Sequence, residues 1–152
     1  MFNGVRLALD VGSVRIGVAK CDSEGLLATP LVTIASGPNA VNEVYELVYE
    51  LEAKCVYVGK PISLAGKDTA STLAALDFAR LLAKRLEDDS VTVRLIDERL
   101  STVSAQRGMH EAGRTVKQSR DAIDQAAAVV ILEHALASER NAGRLVGEEV
   151  NE

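Results

Sequence analysis

The stretch "LALDVGSVRIGVA", residues 7–19, is apolar at nearly every position that can face a core, yet Asp10 sits inside its first run. Residues 5–11 read as a strand, Gly12 and Ser13 supply turn chemistry, and Ile16, Val18 and Ala19 resume a second strand, so the stretch predicts a β-hairpin. "DSEG" at 22–25 breaks the chain again, and "LLATPLVTIA" at 26–35 follows as a third strand. Pro30 has no N–H to give a ladder, which places that strand at a sheet edge. Three antiparallel strands therefore open the domain.

Beyond them the period changes. Asn39 stands at an N-cap position before "AVNEVYELVYELEAK", where Val41, Val44, Tyr45, Val48 and Leu51 fall at helical spacing. "CVYVGKP" at 55–61 is a short buried strand, Asp68 to Glu87 a long helix, and "VTVRLIDE" at 91–98 an alternating strand. Two further helices are expected, Ser101 to Glu111 and Arg120 to about Arg140, separated by "AGRTVKQS". Right-handed crossovers add the later strands parallel to the first. The order βββαβαβα gives an α/β fold of ribonuclease H-like plan: a five-stranded mixed sheet, order 3-2-1-4-5, with helices on both faces. One domain spans 1–140, and 141–152, rich in Glu and Gly, reads as a frayed tail.

A chain of 152 residues that is 47% hydrophobic builds one compact core. Its longest apolar runs, such as "AAAVVIL" at 126–132, fall far short of the ~20 residues that span a bilayer, and "MFNGVRLALD" lacks a signal peptide's pattern. The expectation is a cytoplasmic protein with no membrane partner. With two cysteines, two histidines and no CxxC or HxxxH, zinc and a disulfide framework are poorly supported, so any metal must be held by carboxylate oxygens. The net charge of −5 argues against general electrostatic binding of nucleic acid, but 99–120 carries Arg99, Arg107, Arg114, Lys117 and Arg120 against Glu111 alone. That segment is either a solvated helix face or a local phosphate-binding strip on an acidic body.

The acids fall at one rim of this frame. Asp10 lies near the C-terminal end of strand 1 and Glu98 ends strand 5, and ligands of open α/β sheets bind beyond the carboxyl ends of parallel strands. Asp121 and Asp124, three apart in "SRDAIDQAAAVVIL", share a helix face, and Ala126, Ala127 and Ala128 let that helix approach the sheet closely. Singly, Asp10 also suits an Asx-type turn before Gly12, Glu98 a surface pair with Arg99, and Asp121 the first turn of a helix. Jointly they repel unless a cation neutralises them, which points to Mg²⁺ or Mn²⁺ and to phosphoryl chemistry.

Four segments, "LALDVGSVRIGVA", "YVGKP" with "GKD" at 57–68, "IDERLSTVSA" at 96–105 and "DAIDQAAAVVIL" at 121–132, occur in order over almost the whole chain. In them the chain resembles the YqgF/RuvX family, described as Holliday junction resolvases and as pre-16S rRNA nucleases. The resemblance implies a ribonuclease H-like fold and a metal-dependent endonuclease, and carries catalytic roles onto Asp10, Glu98 and Asp124, with Asp121 as a helper ligand. Asp10 would bridge two cations and Glu98 and Asp124 would hold one each, the product bearing a 5′-phosphate. Arg15, Lys60, Arg99, Arg114, Lys117 and Arg120 are the candidates for nucleic-acid contacts, Lys60 standing where apolar residues are common in the family. With no Trp, two Phe and three Tyr there is little material for base stacking, so backbone and shape recognition is expected.

Two rivals share parts of this pattern. Sugar kinases, actin and Hsp70-type ATPases use a similar D-x-G-[ST] hairpin for Mg²⁺ and ATP phosphates, but they close two such domains and this chain has one. A non-catalytic ribosome-assembly RNA-binding factor would gain more from cations than from acids at the rim. Precursor rRNA and branched DNA both remain open as partners: symmetric junction cutting wants a homodimer, whereas RNA trimming suits a monomer. Cys21 and Cys55 fall two strands apart at the other sheet end, ~9–10 Å from each other and too far for a disulfide.

Overall fold

A computed structural model describes residues 4–61, 66–97 and 116–150, with the side chains of 116–120 excepted. The hairpin forms as its pattern requires: β1 (Val5–Val11) pairs antiparallel with β2 (Arg15–Cys21), and β2 with β3 (Ala28–Ala35). Helix α1 (Ala40–Leu51) leads to β4 (Ala53–Lys60), which adds parallel to β1, and α2 (Ala70–Arg85) leads to β5 (Thr92–Asp97), parallel to β4. Helix α3 (Val116–Ala142) closes the core. The expected order holds, with β3 at an edge.

Among the described residues the sheet has six strands rather than five. Glu148–Glu149, within the stretch the sequence leaves as a tail, forms β6 and pairs antiparallel with β5. Two exposed glutamates carry no alternation to read. Their placement comes from the left-handed Gly147 (φ +80°) and from Arg94, which donates to the Val146 and Gly147 carbonyls and pairs with Glu149 at 3.3 Å. Helix boundaries also move. Helix α2 begins after Thr69, not at Asp68, because the Thr69 and Thr72 hydroxyls and backbone amides cap one another reciprocally. Helix α3 starts four residues before the expected Arg120, and the helix expected over 101–111 lies outside the described residues.

Alternation along the strands divides the core. Leu7, Leu9, Ile16, Val18, Val56 and Val58 face α1 and α2, while Ala8, Ala19, Cys55 and Tyr57 face α3 through Ala128, Ile131 and Leu132. Small residues on this second face let α3 lie close to β1 and β2. Cys21 and Cys55 are buried and free, and burial pushes the Cys55 thiol up to about 12, so it stays a protonated, inert core group. No helix among the described residues is long and apolar enough to cross a membrane.

The C-terminal half of α3 is fixed by a buried polar lock. Glu139 (7% exposed) accepts from the Arg6 guanidinium (3% exposed) at 2.6 Å and from the Tyr57 hydroxyl at 2.5 Å. Burial works against the Arg6 charge, but the bond and charge of Glu139 outweigh it and hold the guanidinium above its ordinary value. Removing one partner strands a buried cation. Glu139→Ala is therefore expected to destabilise the fold by about 3–5 kcal/mol in a urea titration, and a change below about 1 kcal/mol would show the lock to be solvated.

Candidate active site

Cross-strand register builds the site. Asp10 on β1 stands opposite Gly17 on β2, and Gly17 opposite Thr33 on β3, so the three form one row across the sheet. Directly paired residues share a face, and this row shares the face of Ala8 and Ala19, against which α3 packs. A methyl group on Gly17 would lie 1.9 Å from the Asp124 carbonyl oxygen, so the helix backbone rests on this glycine with no side chain between. The sequence places a glycine inside an otherwise β-forming run because a second backbone passes there.

Asp10 and Asp124 are thereby brought to one end of one face, both half-buried. The Arg15 guanidinium, on the same face one step nearer the β1–β2 turn, donates from Nε to Asp124 Oδ2 at 2.8 Å. Arg15 is 29% and Asp124 14% exposed, so the pair is part-buried and solvent screens it only partly. A cation already stands against a carboxylate at this rim. The turn beneath is braced from just after β3, where Ser36 donates from Oγ to the Gly12 carbonyl at 2.8 Å and its amide donates to the Val14 carbonyl at 2.9 Å.

The other expected residues separate into three groups. Asp121 is tied by its carbonyl to β3, accepting from Thr33 Oγ1 at 3.2 Å, so its main chain stands one strand beyond the Asp124–Gly17 contact. Lys60 shares its sheet face with Val56 and Val58, opposite to that of Asp10, and pairs with Glu148 at 3.8 Å. Glu98, Arg99 and Arg114 lie outside the described residues, as do the side chains of Lys117 and Arg120, whose backbones form the first turns of α3.

Among the described residues no three Asp, Glu, His or Cys side chains converge to hold a metal ion. Of the four carboxylates expected as metal ligands, Asp10, Asp121 and Asp124 lie within the described residues and Glu98 does not. Hard oxygen donors on rigid backbone suit a divalent cation in kind, and the Arg15 guanidinium occupies one Asp124 oxygen that such a cation would contend for. Gly17, Thr33, Ser36 and Gln125 were not legible as site residues, although the lone glycine within "RIGVAKC" was a usable signal of close backbone approach.

The RuvX family, described as "Holliday junction resolvase", matches residues 4–138. A protein named "Putative pre-16S rRNA nuclease" from Clavibacter sepedonicus is 48% identical over 143 residues, covering 92% of this chain and 87% of its own. One of the same name from Streptomyces coelicolor is 47% identical over 152 residues, covering 99% and 90%. Among solved structures, Thermus thermophilus RuvC in complex with a Holliday junction substrate superposes with a TM-score of 0.56 at 14% identity, covering 97% of this chain and 99% of that one. The fowlpox virus Holliday junction resolvase gives 0.51 at 12% identity, covering 91% and 99%. These two structures share the fold. The family match over nearly the whole described sheet and helix framework, together with the sequence relatives, shows that this chain belongs to the RuvX family of nucleases.

Proposed function

We propose that the protein is a divalent-metal-dependent endonuclease of structured nucleic acid whose substrate is the 5′ region of precursor 16S rRNA. The observation that carries the reading is the close approach of the Asp124 backbone to Gly17, the residue paired with Asp10 across β1 and β2. The names of the sequence relatives support the RNA substrate.

In this reading Asp10 and Asp124, with Glu98 as third ligand and Asp121 as helper, hold Mg²⁺ or Mn²⁺. A bound divalent cation supplies Lewis-acid stabilisation of charge on a phosphodiester and lowers the pKa of water. The chain's own residues do the rest. β1 holds the Asp10 carboxylate on rigid backbone, α3 delivers Asp124 to it, and Arg15 balances the Asp124 charge and presents a guanidinium beside the phosphate path. The basic residues of 99–120 position the nucleic-acid backbone without reading bases. Carboxylates at this rim repel phosphate in the absence of metal, which disfavours a purely binding role.

The description of the family favours one alternative, junction cutting by a homodimer. The full chain is incubated with a 5′-extended precursor 16S rRNA fragment or a four-way DNA junction, with Mg²⁺, with Mn²⁺ and with chelator, while its oligomeric mass is measured. Cation-dependent cutting of the RNA at least ~10-fold faster than the junction is expected, a margin of about 1.4 kcal/mol in transition-state binding. Junction cutting by a dimer would replace the RNA reading, and cation-independent or absent cleavage of both would overturn the proposal.

A further inference from the structure

We infer that Thr33, on the edge strand β3, is a positioning residue for the nuclease reaction, acting through helix α3 on Asp124. The inference rests on the proposed metal-dependent site. Thr33 is the third member of the row Asp10–Gly17–Thr33, and its hydroxyl bonds the helix twice: it donates to the Asp121 carbonyl at 3.2 Å and accepts from Gln125 Nε2 at 3.0 Å.

These two points lie four residues apart, one helical turn, and Asp124 lies between them. A helix resting on a glycine has no knob-and-hole packing there to oppose sliding or rolling. Two hydrogen bonds that converge on this one hydroxyl from residues a turn apart oppose both motions, because sliding along the helix axis lengthens one against the other and rolling away from β3 lengthens both. Thr33 therefore sets where the Asp124 carboxylate falls relative to Asp10, although it need not touch substrate or cation. The residue directly after this strand, Ser36, braces the turn that follows Asp10 through the Gly12 carbonyl. Both carboxylate-bearing segments take their position from β3 and the residue after it, which supply no acid of their own.

The test compares Thr33→Val, which keeps the β-branched shape and removes the hydroxyl, with Thr33→Ser, which keeps the hydroxyl, and with Gln125→Met on the helix side. Turnover, KM for a cleaved oligonucleotide, and Mn²⁺ affinity by calorimetry are measured on the full chain, beside thermal midpoints. Thr33→Val and Gln125→Met are expected to lower kcat about 10-fold and weaken Mn²⁺ binding several-fold with KM unchanged, as a sub-ångström misplacement of a ligand would. Thr33→Ser is expected to restore both readouts to within about threefold. Wild-type kcat and Mn²⁺ affinity in both hydroxyl-pair variants would overturn the inference while leaving the nuclease reading intact. If the wild-type chain neither binds Mn²⁺ nor cleaves, it is the proposed function that fails.

Discussion

Asp10→Asn and Asp124→Asn are each expected to reduce cation-dependent cleavage by about 10³-fold or more while the protein stays folded. Cation catalysis of phosphodiester cleavage is worth several kcal/mol, and each 1.36 kcal/mol is a factor of ten in rate. The substitutions are isosteric, and an asparagine oxygen at position 124 can still accept from Arg15, so Asp124→Asn costs the fold about 1–2 kcal/mol. Loss of rate with little loss of stability separates ligation from scaffolding. The double variant adds a sharper criterion. If the two carboxylates serve one cation site, Asp10→Asn/Asp124→Asn is no slower than the worse single variant. Retained cleavage in either single variant removes that residue from the proposed catalytic set.

The second large effect comes from a residue with no side chain. Gly17→Ala places a methyl 1.9 Å from the Asp124 carbonyl oxygen, and that neighbour is helix backbone, which cannot turn aside as a long side chain would. Helix α3 must lift from β2, carrying Asp124 with it. A displacement of ~1 Å at a reacting centre costs about 100-fold in rate, and overpacking of a tight contact costs about 1–3 kcal/mol of stability. Turnover and the urea midpoint should therefore fall together, unlike the aspartate variants. A Gly17→Ala enzyme with wild-type turnover would mean that the helix does not rest on this strand.

Much of the frame was legible because it is written in apolar periodicity. Val5–Val11 and Arg15–Cys21 alternate around a Gly-Ser turn, Pro30 marks the edge, and the helical spacing of Val41, Val44 and Val48 survives in the burial of Val44 and Val48. β6 was not legible, because backbone pairing, Gly147 and Arg94 place a Glu-Glu pair that has no apolar face. Asn39 occupies the N-cap of α1 but makes no side-chain capping bond, whereas Thr69 caps α2 so that the helix begins at Ala70, two residues after Asp68. Propensity names the residue types that suit a helix start, and tertiary context selects among them.

At the site, a carboxylate inside an apolar strand drew attention to Asp10, and D-x-x-D on an alanine-rich helix to Asp124. Their juxtaposition depends on register, which fixes Gly17 opposite Asp10, and no local pattern records that pairing. Lys60 illustrates the converse. Its position at the end of β4 was readable, but its face follows from alternation against Val56 and Val58, and there it meets Glu148.

The lock at Arg6, Tyr57 and Glu139 makes α3 a lever arm. From Glu139 to Asp124 is fifteen residues, about 22 Å of rigid helix. A tilt of only about 5° at the locked end sweeps the other through about 2 Å along such a length, more than the Thr33 bonds can absorb. The angular stiffness of a buried Arg–Glu–Tyr knot at the far end of the sheet is thus converted into linear accuracy at the carboxylates. The knot thus serves precision as well as stability.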